Sequence, residues 1–86
     1  MVVFVPTHLR SYTGGSAQVE GRGSSLAEVL ADLDGRFPGF RFRVVDEQDQ
    51  VRTHILFFVS GTIVRDLQRP LPANAEVTIV AALSGG

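Results

Sequence analysis

The sequence contains no cysteine, no lysine and no tryptophan. Without cysteine, the chain cannot form a disulfide, a thiolate metal site or a persulfide on its own side chains. Any sulfur that it handles would have to be held by another atom. All eight basic residues are arginine, which stays protonated and is a poor nucleophile, so the side chains offer no reactive amine.

An excess of charge of one sign and long apolar runs are also missing. The net charge is −1, which argues against a surface for nucleic acid or for an anionic membrane. No apolar run approaches the roughly 20 residues that cross a bilayer, and the N-terminal segment has no signal pattern. We therefore expect a cytoplasmic protein of one domain that binds neither nucleic acid nor membrane.

Groups typical of catalysis or metal binding are sparse. The only histidines, His8 and His54, have no second ligand at metal spacing. The acidic run at 46–49 is typical of a solvated loop, and no serine has a nearby histidine and aspartate. We predict no metal site, no permanently bound cofactor and no enzymatic active site, so the chain is better interpreted as a substrate or carrier.

Periodicity predicts strands at 2–5, 16–20, 54–60, 62–64 and 76–81 and one helix at 25–37. Ser25 and Glu28 form a capping-box pattern at the start of the helix, and Pro38-Gly39 ends it. Ser60-Gly61 predicts a turn between two strands. The segment 40–52 is the least readable part of the chain. One apolar stripe runs along the helix, formed by Leu26, Val29, Leu30, Leu33 and Phe37.

This order of elements predicts an α+β fold, a β-grasp roll in which a mixed sheet of about five strands carries one main helix on one face. We predict a β-grasp domain over residues 1–82, followed by a flexible diglycine tail over residues 83–86.

Alternation along the strands predicts which side chains face away from the helix. If Phe57 faces the helix, Leu56 and Phe58 face away, and Val80 does the same on the last strand. If Phe4 faces the helix on the first strand, Val3 and Val5 face away. These five apolar residues (Val3, Val5, Leu56, Phe58 and Val80) would form a partner-binding patch. The alternatives are ordinary strand propensity and partial cover by segment 40–52.

The sequence closes with Leu83-Ser84-Gly85-Gly86. Glycine has no Cβ, so two glycines can thread a narrow tunnel and present an unhindered acyl carbon. We interpret the Gly86 carboxylate, with Gly85 behind it, as the reacting group, and Leu83 and Ser84 as partner-binding residues that supply reach. A merely flexible end, a cloning scar or a truncation are the alternatives.

Several short segments together resemble the ubiquitin-like sulfur carriers of the MoaD/ThiS family over nearly the whole chain. They are Leu9-Arg10, Thr13-Gly14-Gly15, the helix at 25–37, Ser60-Gly61, Pro70-Leu71 and Ser84-Gly85-Gly86. Within the family, the run Val5-Pro6-Thr7-His8-Leu9-Arg10 is most similar to the carriers of cysteine biosynthesis. The molybdopterin-synthase small subunits more often have Phe-Ala in place of Val5-Pro6.

The resemblance implies a protein cosubstrate rather than an enzyme. An E1-like adenylating enzyme would use ATP and Mg²⁺ to activate Gly86, and a sulfurtransferase or sulfide donor would convert it to a thiocarboxylate. The acceptor enzyme would be a cysteine-synthase-like pyridoxal-phosphate enzyme or the large subunit of molybdopterin synthase. The remaining alternatives are a ubiquitin-like modifier conjugated through Gly86 and a non-conjugated β-grasp interaction domain.

Overall fold

The computed structural model describes residues 1–81 of the 86-residue chain. Its elements, in chain order, are β1 (Val2–Phe4), a 3₁₀ turn (Thr7–Leu9), β2 (Gln18–Glu20), α1 (Leu26–Arg36), α2 (Phe40–Val44), β3 (Ile55–Val59), β4 (Thr62–Ile63) and β5 (Val77–Ala81). The strands form one sheet in the order β2-β1-β5-β3-β4. Only the β1–β5 pair is parallel among the strand pairs described. The mixed sheet of five strands is confirmed.

Helix α1 begins where the capping pattern predicts. The N–H of Glu28 donates to Ser25 Oγ (3.3 Å), which satisfies one free donor of the first turn. The Glu28 carboxylate reaches one residue further back and accepts from the Ser24 N–H (2.8 Å) and hydroxyl (2.9 Å). The bond from the Ser24 backbone, followed by that from its hydroxyl, lowers the pKa of Glu28. The buried stripe consists of Leu26, Val29, Leu30 and Leu33, with Phe37 half-buried.

The unreadable segment contains a second, short helix, α2, which packs beside α1. Phe40 and Val44 are fully buried in the same core, at the i, i+4 spacing of a helix face. The Asp34 carboxylate at the end of α1 accepts from the N–H groups of Gly39 (3.2 Å) and Arg41 (3.1 Å), which ties the two helices together. The segment therefore contributes to the core on the helix side of the sheet.

The hairpin between β3 and β4 turns at Ser60-Gly61, as predicted. Both residues have positive φ (47° and 89°), which is the signature of a type I′ turn. The turn sets Val59 opposite Thr62 and Phe58 opposite Ile63. Because side chains alternate along a strand, β3 buries Ile55, Phe57 and Val59 and leaves Leu56 and Phe58 on the other face.

The predicted orientation of β1 is wrong. Val3 and Val5 are 0% and 2% exposed and belong to the core, whereas Phe4 is half-buried on the opposite face. The parallel pairing with β5 places Val3 opposite the buried Val77 and Phe4 opposite Thr78. The period of a strand is two, so an error of one residue moves every side chain to the other face. The assumption that Phe4 faces the helix therefore gave the wrong phase for the whole strand.

Within residues 1–81, no helix has the length and apolar character required to cross a membrane. The cytoplasmic location stays a prediction.

Candidate functional site

Strand β5 leads to the predicted reactive segment. It lies in the interior of the sheet, between β1 and β3, and its last residue, Ala81, pairs with Ile55 at the start of β3. Leu83, Ser84, Gly85 and Gly86 lie outside the described residues. The five residues after Ala81 can span at most about 17 Å. The position of Ala81 therefore limits where the Gly86 carboxylate can reach.

The face of the sheet opposite α1 carries five apolar side chains around one threonine. The pairing registers place Phe4, Thr78, Phe58 and Ile63 side by side across four strands, with Val80 and Leu56 in a second row. Ile63 is 45% and Val80 37% exposed, and the others are half-buried. We call these six residues the open face. A group of exposed apolar side chains on a protein surface often marks a site of interaction with another protein.

The structure brings together three of the five predicted patch residues, Leu56, Phe58 and Val80. It removes Val3 and Val5, which lie in the core beneath α1. Sequence reasoning missed Phe4 and Ile63. The position of Ile63 could have been predicted from the turn at Ser60-Gly61, because a hairpin with a two-residue turn pairs Phe58 with Ile63 and so places both on the same face. That any of these residues binds a partner stays a prediction.

Polar residues considered in the sequence have structural positions in the described part of the chain. Ser25 caps α1, Ser24 bonds Glu28, and Ser60 lies in the hairpin turn. His8 and His54 are exposed, on the 3₁₀ turn and just before β3. No group of three histidine, cysteine or acidic side chains among residues 1–81 could hold a metal ion.

Hydrogen bonds also account for the loop carboxylate of Asp46. It accepts from the N–H groups of Gln50 and Gln48, both at 2.9 Å. The bond from Gln50 contributes most to lowering the pKa of Asp46, and the charge of Arg52 adds to the effect. A carboxylate that is held in the ionised form by its own loop is well explained as a structural group.

Comparison with known proteins identifies the chain's relatives. Residues 3–86 match the ThiS family. The sulfur carrier protein CysO of Mycobacterium bovis and of Mycobacterium tuberculosis is 31% identical over 91 residues, which cover 100% of this chain and 98% of each relative.

Solved structures agree with the sequence match. A chain of the Amycolatopsis orientalis BexX/CysO complex superposes with a TM-score of 0.91 at 32% identity, covering 99% of this chain and 98% of that one. The M. tuberculosis CysO structure gives a TM-score of 0.89 at 29% identity, covering 95% and 98%. The small archaeal modifier protein 1 of Methanosarcina acetivorans gives 0.81 at 21% identity over 99% and 94%, which shows the fold alone.

The sequence matches extend through the terminal glycines, and the structural matches cover the β-grasp architecture. The predicted ubiquitin-like β-grasp fold is confirmed, and the homology to sulfur carriers of the CysO type supports a carrier role rather than a catalytic one. The chain belongs to the ThiS family.

Proposed function

We propose that this chain is a protein cosubstrate that carries sulfur as a thiocarboxylate on Gly86 and delivers it in the biosynthesis of cysteine. One observation carries the proposal: the similarity to CysO sulfur carriers runs from end to end, and the family match extends through Gly86. Since the chain contains no cysteine, it has no thiol that could hold the sulfur instead.

The chemistry requires activation of Gly86. A terminal carboxyl has a pKa of about 3.5, so at neutral pH it is an anion and a poor electrophile. In the proposed cycle, a carboxylate oxygen attacks the α-phosphorus of ATP and expels pyrophosphate, which leaves an acyl-adenylate. Sulfide then attacks the acyl carbon and expels AMP. The product is a thiocarboxylate, whose ionised sulfur is the nucleophile for the acceptor.

The open face is the surface that we assign to the enzymes acting on Gly86. It includes Thr78 and Val80 of β5, the strand that residues 82–86 follow in the chain, so a partner docked there can also receive the tail. An E1-like adenylating enzyme and an acceptor enzyme would use it in turn. The Amycolatopsis relative was solved in a complex with BexX, which supports the expectation that such carriers bind partner proteins.

Two alternative functions differ only in the acceptor. A molybdopterin synthase small subunit would pass the same sulfur to a pterin, and a ubiquitin-like modifier would join Gly86 to amines of other proteins. The likeness to archaeal modifier proteins is one of fold, so it does not favour the second alternative. Because the chain has no lysine, it cannot build side-chain-linked polymers of itself.

The activation steps can be tested by intact-mass measurement. The full chain is incubated with the adenylating enzyme encoded in the same genome, ATP, Mg²⁺ and sulfide. We expect a gain of about 16 Da, since acyl substitution replaces one oxygen by sulfur, and no gain when ATP is omitted. An unchanged mass with an enzyme that does load another carrier would contradict the proposal.

The acceptor is tested separately with the loaded protein. Mixed with a cysteine-synthase-like enzyme and its amino-acid substrate, the thiocarboxylate sulfur should displace the β-substituent of that substrate, which gives a covalent carrier–cysteine adduct of higher mass. Cysteine should appear, and the original mass return, once water hydrolyses the acyl bond and restores the Gly86 carboxylate. Loss of the sulfur only to a molybdopterin synthase large subunit would assign the alternative acceptor. Amide-linked adducts on other proteins in cell extract would instead assign the modifier function.

A further inference from the structure

A cationic cavity lies at the end of the sheet from which the tail departs. Phe42 and Arg43 of α2, with Arg52 and His54 before β3, line a cavity of about 220 Å³. We call these four residues the cationic pocket. Its volume is below the range of about 300–1,000 Å³ that is typical of small-molecule sites, and it suits a single side chain better than a drug-sized ligand.

The pairing of β3 with β5 determines where the pocket lies. Ile55 pairs with Ala81, and His54 immediately precedes Ile55. The pocket is therefore next to the root of the tail, and Leu56 of the open face is two residues further along the chain. A protein that receives the tail while it covers the open face would pass close to the pocket.

Contacts with Phe42 orient the guanidinium of Arg52 in the pocket, whereas Arg43 has an aromatic ring beside it. Arg52 stacks on the ring of Phe42 at 4.6 Å, and its Nε donates to the Phe42 carbonyl at 2.7 Å. Arg43 lies 5.9 Å from the ring of Tyr12. Among residues 1–81, the side chain of Arg43 makes no hydrogen bond or ion pair, and the terminal nitrogens of Arg52 make none. Orienting a guanidinium in advance reduces the entropy that it loses on binding.

The nearby acidic groups are already occupied. Asp49 pairs with Arg41, and Asp46 is held by the backbone N–H groups of its own loop. The charge of Arg52 does act on Asp46, since it contributes to lowering the pKa of that carboxyl after the backbone bond from Gln50. Arg43 forms no ion pair with a carboxylate among the described residues. The wall of the pocket itself is formed by two arginines, a histidine and a phenylalanine that is 54% exposed.

Building on the function proposed above, we propose that the cationic pocket binds a surface carboxylate, an aspartate or glutamate, of the adenylating enzyme and so orients the carrier as its tail enters the active site. A guanidinium presents paired N–H groups that match a carboxylate. Arginine beside an exposed aromatic ring is also a frequent composition of protein interfaces.

The reacting nucleotide does not suit this pocket. A tail that is inserted into the enzyme carries Gly86 away from Ala81, by up to about 17 Å when extended. The adenylate forms on Gly86, so its phosphate lies at the far end of that reach. The pocket lies next to Ala81, where the tail begins, so in the proposed complex it contacts the surface around the entrance to the enzyme's active site and not the nucleotide.

The test measures ATP–pyrophosphate exchange by the adenylating enzyme as a function of carrier concentration. Arg43→Glu, alone and combined with Arg52→Glu, reverses the charge of the pocket. Arg69→Glu is the matched control, because Arg69 is an exposed arginine that lies beside Val59 and Ser60 at the opposite end of β3. We expect Arg43→Glu to raise KM for the carrier about tenfold, because a contact with an acidic group becomes repulsive. kcat should change by less than about twofold, since no reacting atom is touched.

Ionic strength gives a second readout. The KM of the unaltered chain should rise with added salt, because screening weakens a contact between charges at an interface rim. The doubly substituted chain should respond less. If Arg52→Glu lowers the melting temperature through loss of its stacking on Phe42, Arg43→Glu alone carries the test, because its guanidinium makes no hydrogen bond within residues 1–81.

Two results would overturn the proposal. In the first, Arg43→Glu and Arg69→Glu give the same KM as the unaltered chain. In the second, titration with inorganic phosphate or pyrophosphate shifts the NMR signals of His54 and Arg52 to saturation, and Arg43→Glu leaves KM unchanged. That combination would identify the pocket as a site for small anions. In both cases the unaltered chain still exchanges pyrophosphate and gains sulfur. Absence of exchange and of mass gain in the unaltered chain would instead reject the proposed function itself.

Discussion

At the scale of single residues, the loop before α1 requires glycine at position 23, and the sequence alone did not indicate why. Gly23 has a φ of +156°, and a Cβ built there would lie 2.6 Å from Glu28 Cβ and 2.7 Å from the Val29 nitrogen. Those atoms belong to the first turn of the helix and cannot move without disturbing its cap. The backbone of residue 23 therefore packs directly against the N-terminus of α1.

Gly23→Ala should destabilise the protein by about 2–3 kcal/mol, through backbone strain and overlap with the helix. Gly35→Ala is the matched control, because a Cβ at this position in α1 meets no atom within 4 Å. The control should gain about 0.5–1 kcal/mol, since alanine is the better helix former. Urea unfolding of both variants measures the two effects, and equal changes in the same direction would contradict this account of Gly23.

At the scale of elements, local signals predicted what depends on local structure. The cap at Ser25, the stripe of α1 and the turn at Ser60-Gly61 each involve residues within a few positions of one another, and all three are confirmed. The phase of β1 depends on its pairing with β5, more than 70 positions away, which no local pattern reveals. The assumed inward orientation of Phe4 was wrong because the core on that side is filled by α1 and accepts the smaller Val3.

The same distinction explains what was found of the candidate site. Leu56, Phe58 and Val80 follow from alternation within single strands, so they could be predicted. The cationic pocket joins α2 to residues about ten positions later, and α2 was hidden because Phe40 and Phe42 alternate with arginines as they would in a strand. Only the buried i, i+4 pair Phe40 and Val44 indicated a helix.

Neighbouring residues of β3 provide a direct test of the open face. Phe57 is 1% exposed in the core, whereas Phe58 is half-buried opposite Thr78 and Ile63. Phe57→Asp should cost more than about 4 kcal/mol, since it buries an unpaired charge, and should leave little folded protein. Phe58→Asp should cost about 1 kcal/mol in lost cross-strand contact and keep the native circular dichroism spectrum.

The functional readout of the pair is binding of the adenylating enzyme. We expect folded Phe58→Asp to require a higher carrier concentration for half-maximal pyrophosphate exchange, because an apolar contact surface now carries a charge. Phe58→Leu, which keeps the apolar surface, is the control. If Phe58→Asp unfolds the protein, the side chain of Phe58 belongs to the core. If the variant folds and binds the enzyme normally, the open face is not part of the docking site.

At the scale of the whole molecule, the division between body and tail is the property on which a carrier depends. The buried core within residues 1–81 is a single cluster formed by α1, α2 and the inner face of the sheet. The reacting group proposed for the chain lies five residues beyond the last described strand residue, Ala81. Folding and chemistry should therefore respond to different changes.

Deletion of Gly85 and Gly86 tests this separation. We expect the melting temperature to change by less than about 2 °C, because 1 kcal/mol corresponds to roughly 4–8 °C in a domain of this size and the core is untouched. Sulfur loading should be lost, since the new terminal carboxylate falls short of the enzyme's reaction centre by about 7 Å. Gly86→Ala keeps the length of the tail but adds a methyl group next to the acyl carbon. It therefore distinguishes the effect of a shorter tail from the effect of steric crowding at the reacting atom. If the chain without Gly85 and Gly86 still gains sulfur, Gly86 is not the residue that is loaded. If that chain gains no sulfur but keeps its biological function, the protein is a non-conjugated β-grasp interaction domain.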